Sequence, residues 1–222
     1  QVQDFMMRTS LLTWMVPAMC DRIDGVTDSL AHLRYLKKNH LLTFPADDQG
    51  QSWRYHHLLQ DFLRQKLAQE LSPDEIANLH TQIGKIFLEM DDIFRAIDHF
   101  LQAQAHDEIC QLVSGMMIMD IAQTPGRLLS RVLTDIPDEM FEKYPRMLQL
   151  KARLDLMKGH RDQGVEGLEL ALKRMEEIQD NAGIRRCLKD LGYHLYLTGE
   201  VQKAYSLLCE LWEKPDLEDG YR

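Results

Sequence analysis

The tetrapeptide Ser72-Pro73-Asp74-Glu75 divides this sequence into two hydrophobic regimes. Serine can cap a helix, proline suits the first helical position, and a glutamate three residues after the serine completes a capping box. Beyond this point every apolar run has helical period. Ile76, Leu79, Ile83, Ile86, Phe87 and Met90 open the series. Amphipathic segments follow, ending near Met90, Ala105, Gln123, Leu133, Tyr144, Lys158, Gln179, Thr198 and Lys214, and none alternates with the period of two that a strand requires. A chain built of short amphipathic helices buries their apolar faces only by stacking helix against helix.

Three segments within that region align: Asp91-Asp-Ile-Phe-Arg-Ala96, Gly159-His-Arg-Asp-Gln-Gly164 and Gly199-Glu-Val-Gln-Lys-Ala204. Each places a turn residue five positions before a small one, with Ala103, Ala171 or Leu211 seven positions further on. A helix-pair repeat of tetratricopeptide type needs this arrangement, a tight turn followed by small residues where the second helix touches the first. The small positions are 68 and then 40 residues apart, whereas a strict array would repeat at about 34. The expectation is an irregular set of antiparallel helix pairs over 72–222, with a longer excursion from Gly115 to Tyr144.

The first 71 residues read differently. Val2 to Leu12 is expected to be helical, then Thr13 to Asp21 with an irregularity at Pro17. A third helix runs to Lys38 from Thr27 as N-cap, with Leu30, Leu33 and Leu36 or Leu41 turned inward. Leu41 to Phe44 and Ser52 to Tyr55 look extended and flank the turn Asp47-Asp48-Gln49-Gly50, which makes a hairpin. From His57 a helix resumes, with Leu58, Leu59, Phe62, Leu63 and Leu67 as its apolar stripe. Three helices, a hairpin and a fourth helix are the parts of a winged-helix domain. The fold expected is therefore mainly α: a winged-helix domain at 1–71, then repeat-like helix pairs at 72–222.

Charge follows the same division. Residues 1–72 carry eight basic and eight acidic side chains, so the net charge of −9 lies wholly in residues 73–222. A protein that lives on DNA phosphates normally shows the opposite sign. His32, Arg34, Lys37 and Lys38 on the third helix could in principle reach phosphate, but they sit in a neutral domain. Cys20, Cys110, Cys187 and Cys209 lack metal-binding spacing and read as reduced, mostly buried, cytoplasmic thiols. No apolar run is long enough for a membrane span. Gln1 stands where an initiator methionine would be, which suggests an excised piece of a longer protein.

The chain shows no phosphate-binding loop, dinucleotide fingerprint, zinc motif or nucleophile elbow. Met116-Met117-Ile118-Met119 reads as a buried helix. Asp91-Asp92, Asp107-Glu108 and Glu176-Glu177 read as acids at helix starts or on solvated faces, and Arg185-Arg186 as exposed helix surface. His56-His57 follows a wing strand at a helix start, where a histidine can donate to phosphate or carboxylate.

Four stretches resemble the large MalT-like, LuxR-type transcriptional regulators. Phe5-Met-Met-Arg-Thr-Ser-Leu-Leu12 is similar to their "FLLRTSIL". Asn39-His-Leu-Leu-Thr-Phe-Pro-Ala-Asp-Asp48 with Trp53-Arg-Tyr-His-His-Leu-Leu-Gln-Asp-Phe-Leu-Arg64 resembles "NLFLVPLDDEG…YRYHHLFADLLR". Leu79-His80 and Ala96-Ile97-Asp98-His99 resemble "LHRRA…EEAIEHALAAGD". Ile136-Pro-Asp-Glu-Met140 and Tyr144-Pro-Arg-Met-Leu148 resemble "LPEELLRRYPRLL". The resemblance covers nearly all of the chain, and its Tyr-His-His-Leu-Leu segment is the most specific part.

That resemblance implies a signal-transduction ATPase of the STAND class, ordered as ATPase core, winged helix, helical-repeat sensor and C-terminal helix-turn-helix. Only the middle is present in these 222 residues. An ATPase core upstream would bind ATP or ADP with Mg, an unknown small-molecule or protein effector would act on the sensor, and DNA would be reached only through the helix-turn-helix. Without a phosphate-cradling loop the chain is expected to catalyse nothing by itself. In related switches a winged-helix histidine, in the triplet Met-His-Asp, contacts the phosphates of ADP. Tyr55-His56-His57 resembles that triplet, which assigns the contact to His56, with His57 in place of the family acid. A protein-binding scaffold of tetratricopeptide type, with no nucleotide role, is the alternative expectation.

Overall fold

The computed structural model describes residues 1–47, 51–116 and 124–213. The chain divides into two compact units, Gln1–Ala105 and His106–Arg222. The first contains α1 (Val2–Thr9), α2 (Pro17–Cys20), α3 (Ser29–Lys38), β1 (Thr43–Pro45), β2 (Trp53–Tyr55), α4 (His57–Glu70), α5 (Pro73–Glu89) and α6 (Ile93–Gln102). The second contains α7 (His106–Gly115), α8 (Gly126–Asp135), α9 (Asp138–Lys143), α10 (Pro145–Met157), α11 (Arg161–Glu177), α12 (Asn181–Leu197) and α13 (Val201–Glu213). The helix pair α5–α6 thus groups with the winged-helix elements.

The hairpin is antiparallel, with Thr43 opposite Tyr55, Phe44 opposite Arg54 and Pro45 opposite Trp53. The other edge of β2 is met by Met15, which exchanges both backbone hydrogen bonds with Trp53 at 2.7 and 2.8 Å. This pairing corrects the helix expected over Thr13 to Asp21. Met15 is extended because Trp53 takes its backbone groups, and only Pro17–Cys20 is helical. The first helix stops at Thr9, short of Leu12. The Thr9 and Ser10 hydroxyls turn back onto the carbonyls of Phe5 and Met7, at 2.6 Å each. β1 starts at Thr43 because Leu42 has a positive φ of 47°. Of the expected turn, Asp47 accepts from the N–H groups of Gln51 and Ser52 at 2.9 and 2.6 Å. Asp48, Gln49 and Gly50 lie outside the described residues.

The cap of α3 is also not the one expected. The helix begins at Ser29, after Asp28 at φ 52°, and the Ser29 N–H donates to the Asp21 carboxylate at 2.9 Å. Leu33 and Leu36 are fully buried, but Leu30 and Leu41 are exposed. On α4 the buried stripe narrows to Leu63 and Leu67, while Leu58 and Phe62 face outward. The capping box of α5 forms as expected: Ser72 Oγ accepts from the Glu75 N–H at 3.3 Å, and Glu75 accepts from the Ser72 N–H at 2.8 Å.

The aligned repeat positions share one backbone conformation. Asp91, Gly159 and Gly199 all have positive φ, at 58°, 87° and 83°. After each, the next N–H donates back five residues: Asp92 to Phe87, His160 to Asp155 and Glu200 to Leu195, all at 2.9 Å. This is the left-handed helix stop that glycine favours. The small residues five further on are buried, Ala96 and Ala204 at 0% and 1% exposure, and Gly164 likewise. A Cβ on Gly164 would lie 2.5 Å from the Leu156 side chain. Gln104 and Gln179 make the same stop without glycine. Ala171 and Leu211 are core positions, but Ala103 only caps α6.

The core of the second unit is built around Ala152, Leu168, Ala171, Met175, Cys187 and Leu191. Met116 is buried, and Met117, Ile118 and Met119 lie outside the described residues. Among the described residues no helix is long and apolar enough to cross a membrane.

Candidate functional site

β2 ends at Tyr55 and α4 starts at His57, so His56 is the single residue joining wing to helix. Its backbone is extended, at φ −62° and ψ 139°, and its N–H donates to the Leu42 carbonyl at 2.8 Å. Its Nδ1 accepts from the Leu58 N–H at 3.3 Å and caps α4. A neutral imidazole that accepts at Nδ1 carries its proton on Nε2. Nε2–H is thus left to donate, at the positive end of a 14-residue helix. The ring is half-buried, with the Phe44 ring 6.4 Å away and the exposed His57 ring 4.2 Å away.

The residues flanking His56 hold the wing against α1. Tyr55 is buried, and its hydroxyl lies 2.8 Å from Thr9 Oγ1. Burial pushes the Tyr55 phenol well above its ordinary pKa, so it stays protonated. Gln60 donates to the carbonyls of Ser10 and Leu12 at 2.8 and 2.7 Å, and Arg64 donates to Ser10 at 3.0 Å. These bonds satisfy carbonyls at and just beyond the end of α1 that have no helical partners. The two sequence segments 5–12 and 53–64 therefore bind each other. Trp53, 4% exposed, lies under the Lys37 ammonium, 5.6 Å from its ring.

The basic residues of α3 do not converge. His32 packs on Phe5 at 4.9 Å and Lys37 covers Trp53, while Arg34 and Lys38 are exposed. The acid pairs are dispersed too. Asp92 caps α6 by accepting from the Arg95 N–H at 3.2 Å, and Glu177 pairs with Arg174 at 3.1 Å. Asp107 accepts from Lys143 and Tyr144 at 2.5 and 2.8 Å, and the Lys143 bond holds its carboxyl below the usual range. Arg186 is not simply surface: it reaches toward the Met116 carbonyl at 3.4 Å. Cys20, Cys110 and Cys187 are buried, and burial pushes their thiols up to about 12, 11 and 12. Such thiols are poor nucleophiles. Among the described residues no cluster of three or more potential ligands could hold a metal ion.

One pairing was not evident from the sequence. His80 on α5 and His99 on α6 face each other with Nδ1 atoms 3.0 Å apart. Burial pushes both imidazoles down to about 4, with Arg64 adding to the effect on His80 and His80 to that on His99. Both lie in segments of family resemblance, which was the available signal.

Comparison with known proteins gives a match over residues 1–75 to the family model of the MalT winged helix domain. The amino-terminal domain is similar to the MalT winged helix domain. Over 154 residues the chain is 26% identical to the HTH-type transcriptional regulator MalT of Klebsiella pneumoniae (strain 342), covering 69% of this chain and 17% of that protein. Over 152 residues it is 26% identical to the MalT regulator of Cronobacter sakazakii (strain ATCC BAA-894), covering 68% and 17%. The MalT-like similarity thus extends past the winged helix into the helical region, and it spans about a sixth of the relatives' length.

Proposed function

We propose that this chain is the regulatory middle of a cytoplasmic, MalT-like transcriptional regulator of the STAND class. The winged helix acts as a lid on an ATPase core encoded upstream, and the helical region relays effector or partner binding by shifting the balance of closed and open states. The observation that carries this reading is the bond from the Leu58 N–H to His56 Nδ1 at 3.3 Å, from which the proton of the neutral ring is inferred to sit on Nε2. Its Nδ1 is spent on the cap of α4, so its Nε2–H is available to a phosphate oxygen.

These residues fit ADP as one contact and not as a cradle. One imidazole N–H and a helix N-terminus can orient a phosphate, but the loop that surrounds phosphates must come from the core. Mg and hydrolysis belong to that core, and the chain itself catalyses nothing. DNA is reached through a helix-turn-helix further along the protein.

The plain scaffold reading has one observation in its favour. Tyr193, Tyr196 and Tyr205 are more than 60% exposed on α12 and α13, a surface suited to protein contact. The reading frame around this chain separates the two. A GxxxxGK[ST] loop upstream together with nucleotide binding by the full-length protein supports the regulator. Absence of both leaves the scaffold.

A further inference from the structure

A polar cleft in the second unit has more donors than acceptors. Arg146, Gln149 and Arg153 lie on one face of α10, at the i, i+3 and i+7 positions. Arg186 faces them from α12, and Ser114 and Met116 close the end at α7. The cleft is partly open to solvent, and its volume is about 30 Å³. Arg146 is committed, because its Nε and Nη2 clamp the Asp180 carboxylate at 2.6 Å each. Arg153 has no hydrogen-bond or ion-pair partner among the described residues, and Arg186 makes only the 3.4 Å contact with Met116 O. Ser114 Oγ is buried without a hydrogen-bond partner among the described residues. Among the described residues two acids face these groups. Asp180 is already clamped by Arg146 and lies in the field of Arg186. Asp190 accepts from Gln149 at 2.9 Å and lies in the field of Arg153 and Arg186; burial raises its pKa and so disfavours its charged form.

Three guanidinium groups and a hydroxyl thus converge where two carboxylates answer them, one of which burial disfavours in its charged form. This is not the edge of a generally basic surface, since residues 106–222 carry 16 basic and 21 acidic side chains. The size of the cleft limits what fits. About 30 Å³ holds one water or one small head group. A planar carboxylate matches the guanidinium fork, whereas a tetrahedral phosphate is bulkier. Val113, Met116 and Leu150 line the same cleft; only the carboxylate fits within it, and the hydrocarbon body of such an acid lies at its open side.

We propose that this cleft binds the carboxylate of a small aliphatic organic acid, held by Arg153 and Arg186. The proposal deepens the regulatory reading by naming the chemical class of its effector. Its test reads binding alone, so the two can fail separately.

The 222-residue chain is titrated calorimetrically with butyrate, succinate and inorganic phosphate. The expected result is saturable carboxylate binding, at least about tenfold weaker in Arg153→Gln and in Arg186→Gln, as loss of a charged hydrogen bond predicts. Arg161→Gln, which removes an exposed pair with Glu200, leaves it unchanged. Where Arg186→Gln fails to fold, Arg153→Gln decides, because Arg153 makes no hydrogen bond or ion pair among the described residues and acts on Asp190 only through its field. Absence of binding by either acid, binding indifferent to Arg153→Gln, or tighter binding of phosphate overturns the assignment.

Discussion

Thr9 Oγ1 and the Tyr55 hydroxyl lie 2.8 Å apart in the buried seam between α1 and the wing. Thr9 spends its own proton on the Phe5 carbonyl at 2.6 Å, so Tyr55 is the donor between them. The most family-like segment of the sequence is thus anchored by a bond across 46 residues, and His56 is the residue immediately after the anchor.

Tyr55→Phe removes that donor and leaves Thr9 still bonded to Phe5. The expected cost is about 1 kcal/mol. Thr9→Val leaves the phenol buried and unpaired and costs more, about 2 kcal/mol. Urea unfolding of the two single variants and the double variant measures both, and the double should cost less than their sum.

Gly164→Ala sets a Cβ 2.5 Å from Leu156 and 2.9 Å from the Ala152 carbonyl. Overpacking of this kind costs about 1–3 kcal/mol. Gly126→Ala meets nothing within 4 Å and should be neutral or slightly stabilising. Equal thermal shifts for the two would contradict the close approach of α10 and α11.

The His80–His99 pair makes stability depend on pH. Both rings titrate near 4 when folded, against 6.5 ordinarily. The unfolded chain therefore binds protons first as pH falls. The contribution is complete above 6.5 and is lost as pH drops from 6.5 toward 4. The facing charged groups, Arg64 and Asp98, oppose each other in this range. A loss of about 3 kcal/mol for each ring that takes up its proton is expected, read as a falling urea midpoint, and His99→Asn should flatten the slope.

Much of this architecture was legible because it is local. The capping box at Ser72 and Glu75 is written within four residues, and the turn residues Asp91, Gly159 and Gly199 sit at fixed distance from Ala96, Gly164 and Ala204. Features that depend on a distant partner were not legible. Met15 is extended only because Trp53 pairs with it, and α3 is capped by Asp21, eight residues before its start. Leu58 and Phe62 match the helical period of α4 yet stay exposed, because periodicity gives the apolar face and not how much of it is covered. At the candidate site the position of His56 could be read from sequence, but the state of its ring nitrogens required the contact with Leu58.

His56→Ala removes both the cap and the proposed phosphate contact, whereas His56→Ser keeps a cap. The alanine variant should lose about 1 kcal/mol of stability, measured by thermal unfolding, and the serine variant close to none.

ADP affinity of the full-length protein carrying His56→Ser tests the regulatory account most directly. Stability is then preserved, and only the Nε2–H donor is missing. The account predicts ADP binding at least about tenfold weaker than in the unsubstituted protein, as loss of a charge-assisted hydrogen bond implies. Unchanged ADP affinity in this correctly folded variant would contradict it.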